Sequence, residues 1–356
     1  MIVDAFMFDE TGKIPNIALD VMSGDLGPEQ AIVGAALATM ETPISITLFG
    51  EKRIIEGVLS DTPHKGDQIS VQHTDSVITM HDSPKIALEA KQDSSLFQAI
   101  KSTADNKTDA VVSAGNTGAF IVCASKLIPR IHGVKKTALS AVYPTQKRTP
   151  SGDRFALMLD VGATIKCTAE ELVQFALMGN SYASKISRVE KPAIGLLNVG
   201  IESHKGGEVL TKTYEYLSRL EGINFIGNVE GSDIPIGICD VIVCEGFVGN
   251  IALKLAEGIQ KVFKHLGKEA FKRKFIWKLG IIMLAGGLKQ IKKITDYSEY
   301  GGAPILGYEK ICIKAHGKSN AKAFKNAIKV AAKAVRGEVS KHIGESIERF
   351  NQTIIE

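Results

Sequence analysis

The sequence predicts an α/β fold, a mostly parallel sheet flanked by helices, with a long helical extension. Three observations predict it. Short apolar runs ending in Asp, Asn, Gly or Ser recur along the chain, each followed by a stretch of helical periodicity. Strand–helix alternation at this spacing builds a parallel sheet with helices on both faces. The chain has 356 residues, 44% hydrophobic and 23% charged, which gives ample core and excludes disordered and collagen-like classes. From Ala256 onward, Ile259, Val262, Phe263, Leu266 and Ala270 share one helical face while Lys261, Lys264 and Lys268 lie elsewhere, as in an amphipathic helix.

The elements follow in order. After a leader over residues 1–14, one α/β catalytic domain is expected over 15–356. Pro15 to Val21 is a first strand, broken by Gly24, Gly27 and Pro28 within DVMSGDLGPEQ. Glu29 to Met40 is an Ala-rich helix. Ile44 to Phe49 and Ile69 to His73 are further strands, and two helices follow, the first with Pro84 near its start. Asp109 to Val112 is a buried strand that runs through SAGNTG into a helix over Ala119 to Leu127. Beyond it come a strand over Phe155 to Val161 and a helix over Glu170 to Lys185. A strand over Ala193 to Leu197 and a helix over Val209 to Leu217 come next. A strand over Asp240 to Cys244 closes on EGFVGN, with Gly246, Gly249 and Asn250 expected ahead of the next helix. AHGKSN precedes a final Ala/Lys-rich helix.

Charge is unevenly spread. The net charge is +4, yet eleven Lys or Arg between Lys254 and Lys293 face only Glu257 and Glu269, a local balance of +9 that leaves −5 for the remainder. Such a block points to an anionic partner: membrane lipid, an acidic protein or nucleic acid. Within the extension at 254–295, an apolar run from Leu279 to Leu288 is flanked by lysines. It is too short to span a bilayer. Trp277, Leu279, Ile281, Ile282, Met283 and Leu284 suit an interfacial membrane tip, and a dimerisation helix covered by a second copy is the compatible alternative. The start MIVDAFMFDETGK lacks the pattern of a signal peptide. The five cysteines form no CxxC pair, and the eight histidines show no ligand spacing, so neither a disulfide framework, a structural metal nor a cofactor is expected.

Chemistry concentrates at strand ends, where ligands bind in parallel α/β sheets. The candidates are DVMSGD, SAGNTG, DVGA, NVG and EGFVGN, and none matches a dinucleotide fingerprint or a P-loop. In SAGNTG the residues are small, hydroxylic or glycine, and a helix N-terminus follows. That combination offers backbone N–H groups to an anion such as phosphate. A tight strand-to-helix turn with a Thr cap is the bland alternative.

Several stretches together resemble one family: IALDVMSGD, VSAGNTGA, LDVGATIKC, FALMGNSYA, FIGNVEG, EGFVGN, YGGAPILG and AHGKSNAKA. The chain resembles the acyl-ACP:phosphate acyltransferases of bacterial phospholipid synthesis, the PlsX family, in order from about residue 15 to about 335. The resemblance implies transfer of a fatty acyl chain from acyl carrier protein to orthophosphate, giving acyl phosphate. It also implies an isocitrate/isopropylmalate dehydrogenase-like fold shared with phosphotransacetylases, and a homodimer. The implied location is cytoplasmic and peripherally membrane-associated, beside a membrane glycerol-3-phosphate acyltransferase and with no nucleic acid partner. Ser23, Gln92, Thr164, Glu245 and Val248 depart from the family pattern while keeping its backbone spacing.

The roles expected on this basis are specific. Ser113, Gly115, Asn116, Thr117 and Gly118 seat phosphate, with Ser319 and Asn320 contributing. Asn116, His316, Asn250 and Asp160 are the catalytic candidates. His316 is read as a donor to phosphate or to the departing sulfur, and Asn250 as an oxyanion donor or a helix cap. Asp20, Gly24, Asp25, Lys205 and Gly249 are the substrate-contact candidates, with Asp20 and Asp25 read as orienting groups, bases or caps. No Ser-His-Asp or Cys-His order stands out, so direct attack by phosphate is expected. The rival readings are a phosphotransacetylase-like enzyme using acyl-CoA, a hydroxyacid dehydrogenase of the same fold, and a non-catalytic phosphate- or lipid-binding regulator.

Overall fold

The structure is a computed structural model that describes residues 14–146, 155–273, 275–287 and 301–355. The expected leader therefore lies outside the described residues except for Ile14, as do residues 288–295 of the basic extension. In chain order the first strands and helices are β1 (Asn16–Asp20), α1 (Pro28–Glu41), β2 (Ser45–Gly50), α2 (Lys52–Ser60), β3 (Ile69–His73), α3 (Pro84–Glu89), α4 (Ser95–Ala104), β4 (Ala110–Ser113) and α5 (Thr117–Leu127). There follow β5 (Ala138–Pro144), β6 (Phe155–Leu159), α6 (Ala169–Tyr182), β7 (Ala193–Leu197), α7 (Gly207–Arg219), β8 (Asn224–Val229), β9 (Val241–Val243), α8 (Gly246–Arg273) and α9 (Phe275–Met283). The chain ends with β10 (Ala303–Leu306), β11 (Ile311–Lys314), α10 (Ala321–Arg336) and α11 (Val339–Ile355).

Where the sequence reading expects one α/β domain, the described residues fall into two compact units. The first comprises 14–137, 184–188 and 301–355, and the second 138–146, 155–183, 189–273 and 275–287. The sheet of the first unit has the order β3-β2-β1-β4-β11-β10. All its neighbours are parallel except β10 with β11. The second has the order β5-β6-β9-β7-β8, parallel except for β5 with β6. Both are the mostly parallel α/β arrangement that the strand–helix alternation predicts.

The core explains the strand sequences. Ile17, Leu19, Leu48, Val111 and Val112 in the first unit are fully buried, as are Met158, Leu159, Ile194 and Val241 in the second. Strands buried on both faces read as continuous apolar runs. Helix starts are set by local chemistry. Pro28 opens α1, and Ser94, Asn116 and Asn320 cap α4, α5 and α10 with their side-chain oxygens. At α6 a capping box forms: the Thr168 hydroxyl accepts the Glu171 N–H while the Glu171 carboxylate accepts the Thr168 N–H. All five cysteines are free and buried.

Two expectations are corrected. The helix read from Ala256 onward begins ten residues earlier, at Gly246, so Gly246, Gly249 and Asn250 lie inside α8 rather than ahead of it. The cause is tertiary. The Gly246 N–H donates to the Thr164 hydroxyl at 3.1 Å. A Cβ on Gly249 would stand 1.9 Å from the Asp160 carbonyl oxygen, so only glycine lets this first turn close on the loop after β6. The final segment is also two helices, α10 and α11, rather than one. The turn between them holds Glu338 at a φ of 47°.

The extension is the least covered part of the second unit. Along α8, Ile259, Val262, Phe263 and Leu266 are all exposed, and Phe263 retains 70% of its surface. Trp277, Leu279, Ile282, Met283 and Leu284 are exposed as well, while the side chain of Ile281 lies outside the described residues. No described helix is long and apolar enough to cross a membrane.

Candidate active site

In the first unit, three strand-end loops meet: those after β1, β4 and β11. The Asp25 N–H donates to the Gly317 carbonyl at 2.8 Å. A Cβ on Gly24 would touch both Ala114 and the Gly317 carbonyl at 3.8 Å. Gly115 sits against Ser23, whose Cβ lies 2.7 Å from where a Gly115 Cβ would be. The segment before α3 closes the group, since Asn116 Nδ2 donates to the carbonyls of Met80 and Asp82 at 3.3 and 3.0 Å. Beside it the Lys91 ammonium, 2.6 Å from Asp82, holds that carboxyl below its ordinary range.

Beneath the loops lies a buried polar row. β1 and β4 place Asp20 beside Ser113 in register. The Asp20 carboxylate, 1% exposed, accepts the Ser95 hydroxyl at 2.7 Å, the Ser113 hydroxyl at 2.6 Å and the Met22 N–H at 3.3 Å. Ser113 Oγ in turn accepts the Gly115 N–H at 2.9 Å. A hydroxyl has one proton, and that of Ser113 goes to Asp20. The Asp20 carboxylate is in turn committed to these three donors.

Asn116 is similarly engaged. Its Oδ1 accepts the Ala119 N–H at 3.1 Å as the cap of α5, and both protons of its amide are held by the two carbonyls named above. What the 113–118 loop presents is backbone. The Asn116, Thr117 and Gly118 N–H groups precede the first intrahelical hydrogen bond of α5 and stand at the positive end of its dipole. The Thr117 side chain is exposed.

Asn320 caps α10 through the Ala323 N–H at 2.9 Å, and Ser319 is buried with its N–H on the His316 carbonyl at 2.9 Å. His316 is exposed, and its Nδ1 accepts the Lys318 N–H at 3.0 Å. An accepting Nδ1 puts the proton of the neutral ring on Nε2. Asp25 is exposed, with its carboxylate 2.7 Å from where a Cβ on Gly317 would stand.

The second unit holds Asp160, Asn250, Gly249 and Lys205. Asp160 is fully buried and accepts four backbone N–H groups, from Leu139, Gly162 and Ala163 on Oδ1 at 3.0 Å and from Thr164 on Oδ2 at 2.7 Å. Burial pushes its carboxyl up while these donors pull it down. With its oxygens turned inward, Asp160 orders the 160–164 loop. Asn250 is exposed on the first turns of α8, with its side-chain amide 3.7–3.8 Å from the Cβ position of Gly162. Lys205 is exposed at the end of a loop closed by Asn198 Nδ2, which donates to the Lys205 carbonyl at 3.0 Å.

Four of the five cysteines are ill placed as nucleophiles. Burial pushes the thiols of Cys123 and Cys239 up to about 11 and about 12, and raises Cys244 and Cys312 further. A buried thiol held protonated is inert. Among the described residues no group of three or more His, Cys, Asp or Glu gathers as a metal site.

Comparison with known proteins fits this geometry. The family described as fatty acid synthesis protein matches residues 16–342. A phosphate acyltransferase of Dictyoglomus turgidum is 44% identical over 336 residues, covering 94% of this chain and 98% of the relative. The chain belongs to the phosphate acyltransferase family. A second phosphate acyltransferase, from Thermoanaerobacter pseudethanolicus, is 43% identical over 95% of this chain and 99% of its own. The solved structure of a phosphotransacetylase from Streptococcus pyogenes matches with a TM-score of 0.60 at 13% identity, over 91% of this chain and 94% of that one. At that identity the likeness is one of fold.

As a phosphate acyltransferase the protein is an acyltransferase enzyme whose substrates are phosphate and an acyl group. The first-unit loops present the N–H groups of a helix start. Ser95, and Asp82 with Lys91, drew no reading from the sequence, because their pairings need the tertiary structure.

Proposed function

We propose that the protein transfers the fatty acyl group from acyl-[acyl carrier protein] to orthophosphate, releasing acyl phosphate for phospholipid synthesis. The observation that carries this reading is the meeting of the three strand-end loops in the first unit. There the unpaired N–H groups of the α5 start and the exposed His316 belong to one cluster. The description of the matching family as a fatty acid synthesis protein supports a carrier-bound fatty acyl donor.

The chemistry is catalysis by positioning. A thioester is already activated, so phosphate needs to be held, partly desolvated and aimed at the carbonyl carbon. On this reading the Asn116, Thr117 and Gly118 N–H groups hold the phosphate. An oxygen of hydrogen phosphate attacks the carbonyl carbon and forms a tetrahedral oxyanion. His316 Nε2–H donates to that oxyanion or to the sulfur. Collapse breaks the carbon–sulfur bond, and the proton of hydrogen phosphate ends on the carrier thiol. Atoms and charge balance without an acyl-enzyme, in keeping with the buried, protonated cysteines. Gly24 and Asp25 are read as substrate contacts in the first unit; in the second, Lys205 and Gly249 are read as substrate contacts and Asn250 as an oxyanion or phosphate donor.

The same reading gives the extension its use. The exposed apolar face of α8 pairs with a second copy in a homodimer, and the tip over 275–284 rests on an anionic membrane. Acyl phosphate is released there to a membrane glycerol-3-phosphate acyltransferase. The protein is then cytoplasmic and peripherally membrane-associated. Lys185, Arg188 and the lysines over 261–278 are the candidates for docking the acidic carrier.

The test is turnover of acyl-[acyl carrier protein] with orthophosphate, trapping acyl phosphate as a hydroxamate, beside acyl-CoA as donor. Phosphate-dependent product from the carrier-bound donor, cut about 100-fold or more in His316→Ala, is the expected result. Product from acyl-CoA alone would refute the carrier-protein reading.

A further inference from the structure

Ser23 follows β1 and packs against Gly115. It is 7% exposed, and its Oγ finds no hydrogen-bond partner among the described residues. That oxygen lies 3.3 Å from where a Gly115 Cβ would stand, and Ser23 Cβ lies 2.7 Å from the same point. A buried hydroxyl with no hydrogen-bond partner is costly. Here it is packed against Gly115, a member of the anion loop. The other hydroxyl in reach, Ser113 Oγ, is already committed to Asp20 and to the Gly115 N–H.

We infer that Ser23 is an additional donor to the phosphate seated on the 113–118 loop, taking the hydroxyl role that Ser113 cannot fill. The inference rests on the phosphate seat proposed above. One staggered step about χ1 moves the hydroxyl off Gly115. Once an anion oxygen occupies the loop, the bond Ser23 makes to it removes an unsatisfied group from the interior. Backbone N–H groups supply a direction for the anion, and the Ser23 proton adds a charge-assisted bond of the stronger class. Ser23 is thereby a binding residue for the acceptor substrate and not for the acyl group.

The test uses the full chain and inorganic phosphate, with Ser23→Ala as the variant. Phosphate affinity is read from the rise in thermal midpoint on titration, and turnover supplies KM for phosphate against kcat. The expected result has three parts. The phosphate-free midpoint is unchanged or higher, because an unpartnered hydroxyl has been removed. Phosphate affinity falls roughly ten- to a hundred-fold, the value of a hydrogen bond to a charged group. The kcat stays within about threefold. A phosphate-free midpoint lowered by several degrees would show that the hydroxyl serves the fold, and unaltered phosphate affinity would show that it serves nothing at this loop. Either overturns the inference. If wild type binds phosphate yet transfers no acyl group, the reaction proposed above fails while the Ser23 inference is still judged by the titration. If wild type binds no phosphate, both fail.

Discussion

Asp20→Ala tests whether the buried row under the anion loop is what holds that loop. The substitution removes the acceptor of two hydroxyls that are themselves fully buried, Ser95 at 2.7 Å and Ser113 at 2.6 Å, while the Met22 N–H at 3.3 Å contributes little. Hydrogen bonds to a charged acceptor are worth about 1.5–3 kcal/mol each. Release of a buried carboxylate from its own desolvation cost offsets part of the loss. The expected net is a destabilisation of about 3 kcal/mol, with Asp20→Asn falling between it and wild type because one acceptor survives. Urea titration followed by far-UV circular dichroism measures this as a lower midpoint at unchanged slope. The variant also frees the Ser113 proton and lets the Gly115 N–H drift, so KM for phosphate rises more than kcat falls. A stability loss below about 1 kcal/mol together with an unchanged KM would mean that the row is incidental to the loop.

Three further outcomes are expected. Gly249→Ala puts a Cβ 1.9 Å from the Asp160 carbonyl oxygen and 2.9 Å from Cys244 Sγ. Overpacking of that degree costs about 3 kcal/mol or more, a drop of about 6–12 °C in thermal midpoint, and a drop under 2 °C would contradict the fitted start of α8. Glu170, on the first turn of α6, has its carboxyl held down to about 2 by a hydrogen bond with its own N–H, aided by Thr168 and by Lys212 at 3.1 Å. A carboxyl lowered on folding stabilises above its unfolded pKa near 4.5, and that contribution is lost as pH falls towards 2. Glu170→Gln is therefore less stable than wild type at pH 6 by about 1 kcal/mol, a figure discounted for solvent screening, and equal to it near pH 2. A gap independent of pH would remove the ion-pair explanation. Leu279→Asp abolishes binding to anionic liposomes while leaving turnover in solution intact, and sedimentation with vesicles decides it.

Much of the fold was legible because its signals are local. The apolar runs of β1, β4 and β7 announce buried strands, and Gly24, Gly27 and Pro28 mark the break ahead of α1. The strand-to-helix turn at SAGNTG was legible for the same reason, although its cap is Asn116 rather than the threonine. Roles were harder. Asp20, Ser113 and Asp160 are the residue types that chemistry uses, and the sequence cannot say which way a side chain faces. Ser23 drew no functional reading, because an unpartnered hydroxyl is defined by what does not surround it.

By itself the sequence determined the fold class, many of its strands and helices, the strand-to-helix turn that starts α5 and the basic amphipathic extension, since each depends on neighbours within a turn or a strand; β5, β8, β10, β11 and α2 drew no reading. Only the tertiary structure decided that α8 begins at Gly246, because the glycine contacts that permit it lie across the chain at Asp160 and Thr164. It alone decided that the Ser113 proton belongs to Asp20, 93 residues away, and that Asp160 turns its carboxylate into its own loop. Local periodicity fixes which backbone forms. Which polar atom remains available to a ligand is settled only when every competing donor and acceptor has been brought within 3 Å or so of it.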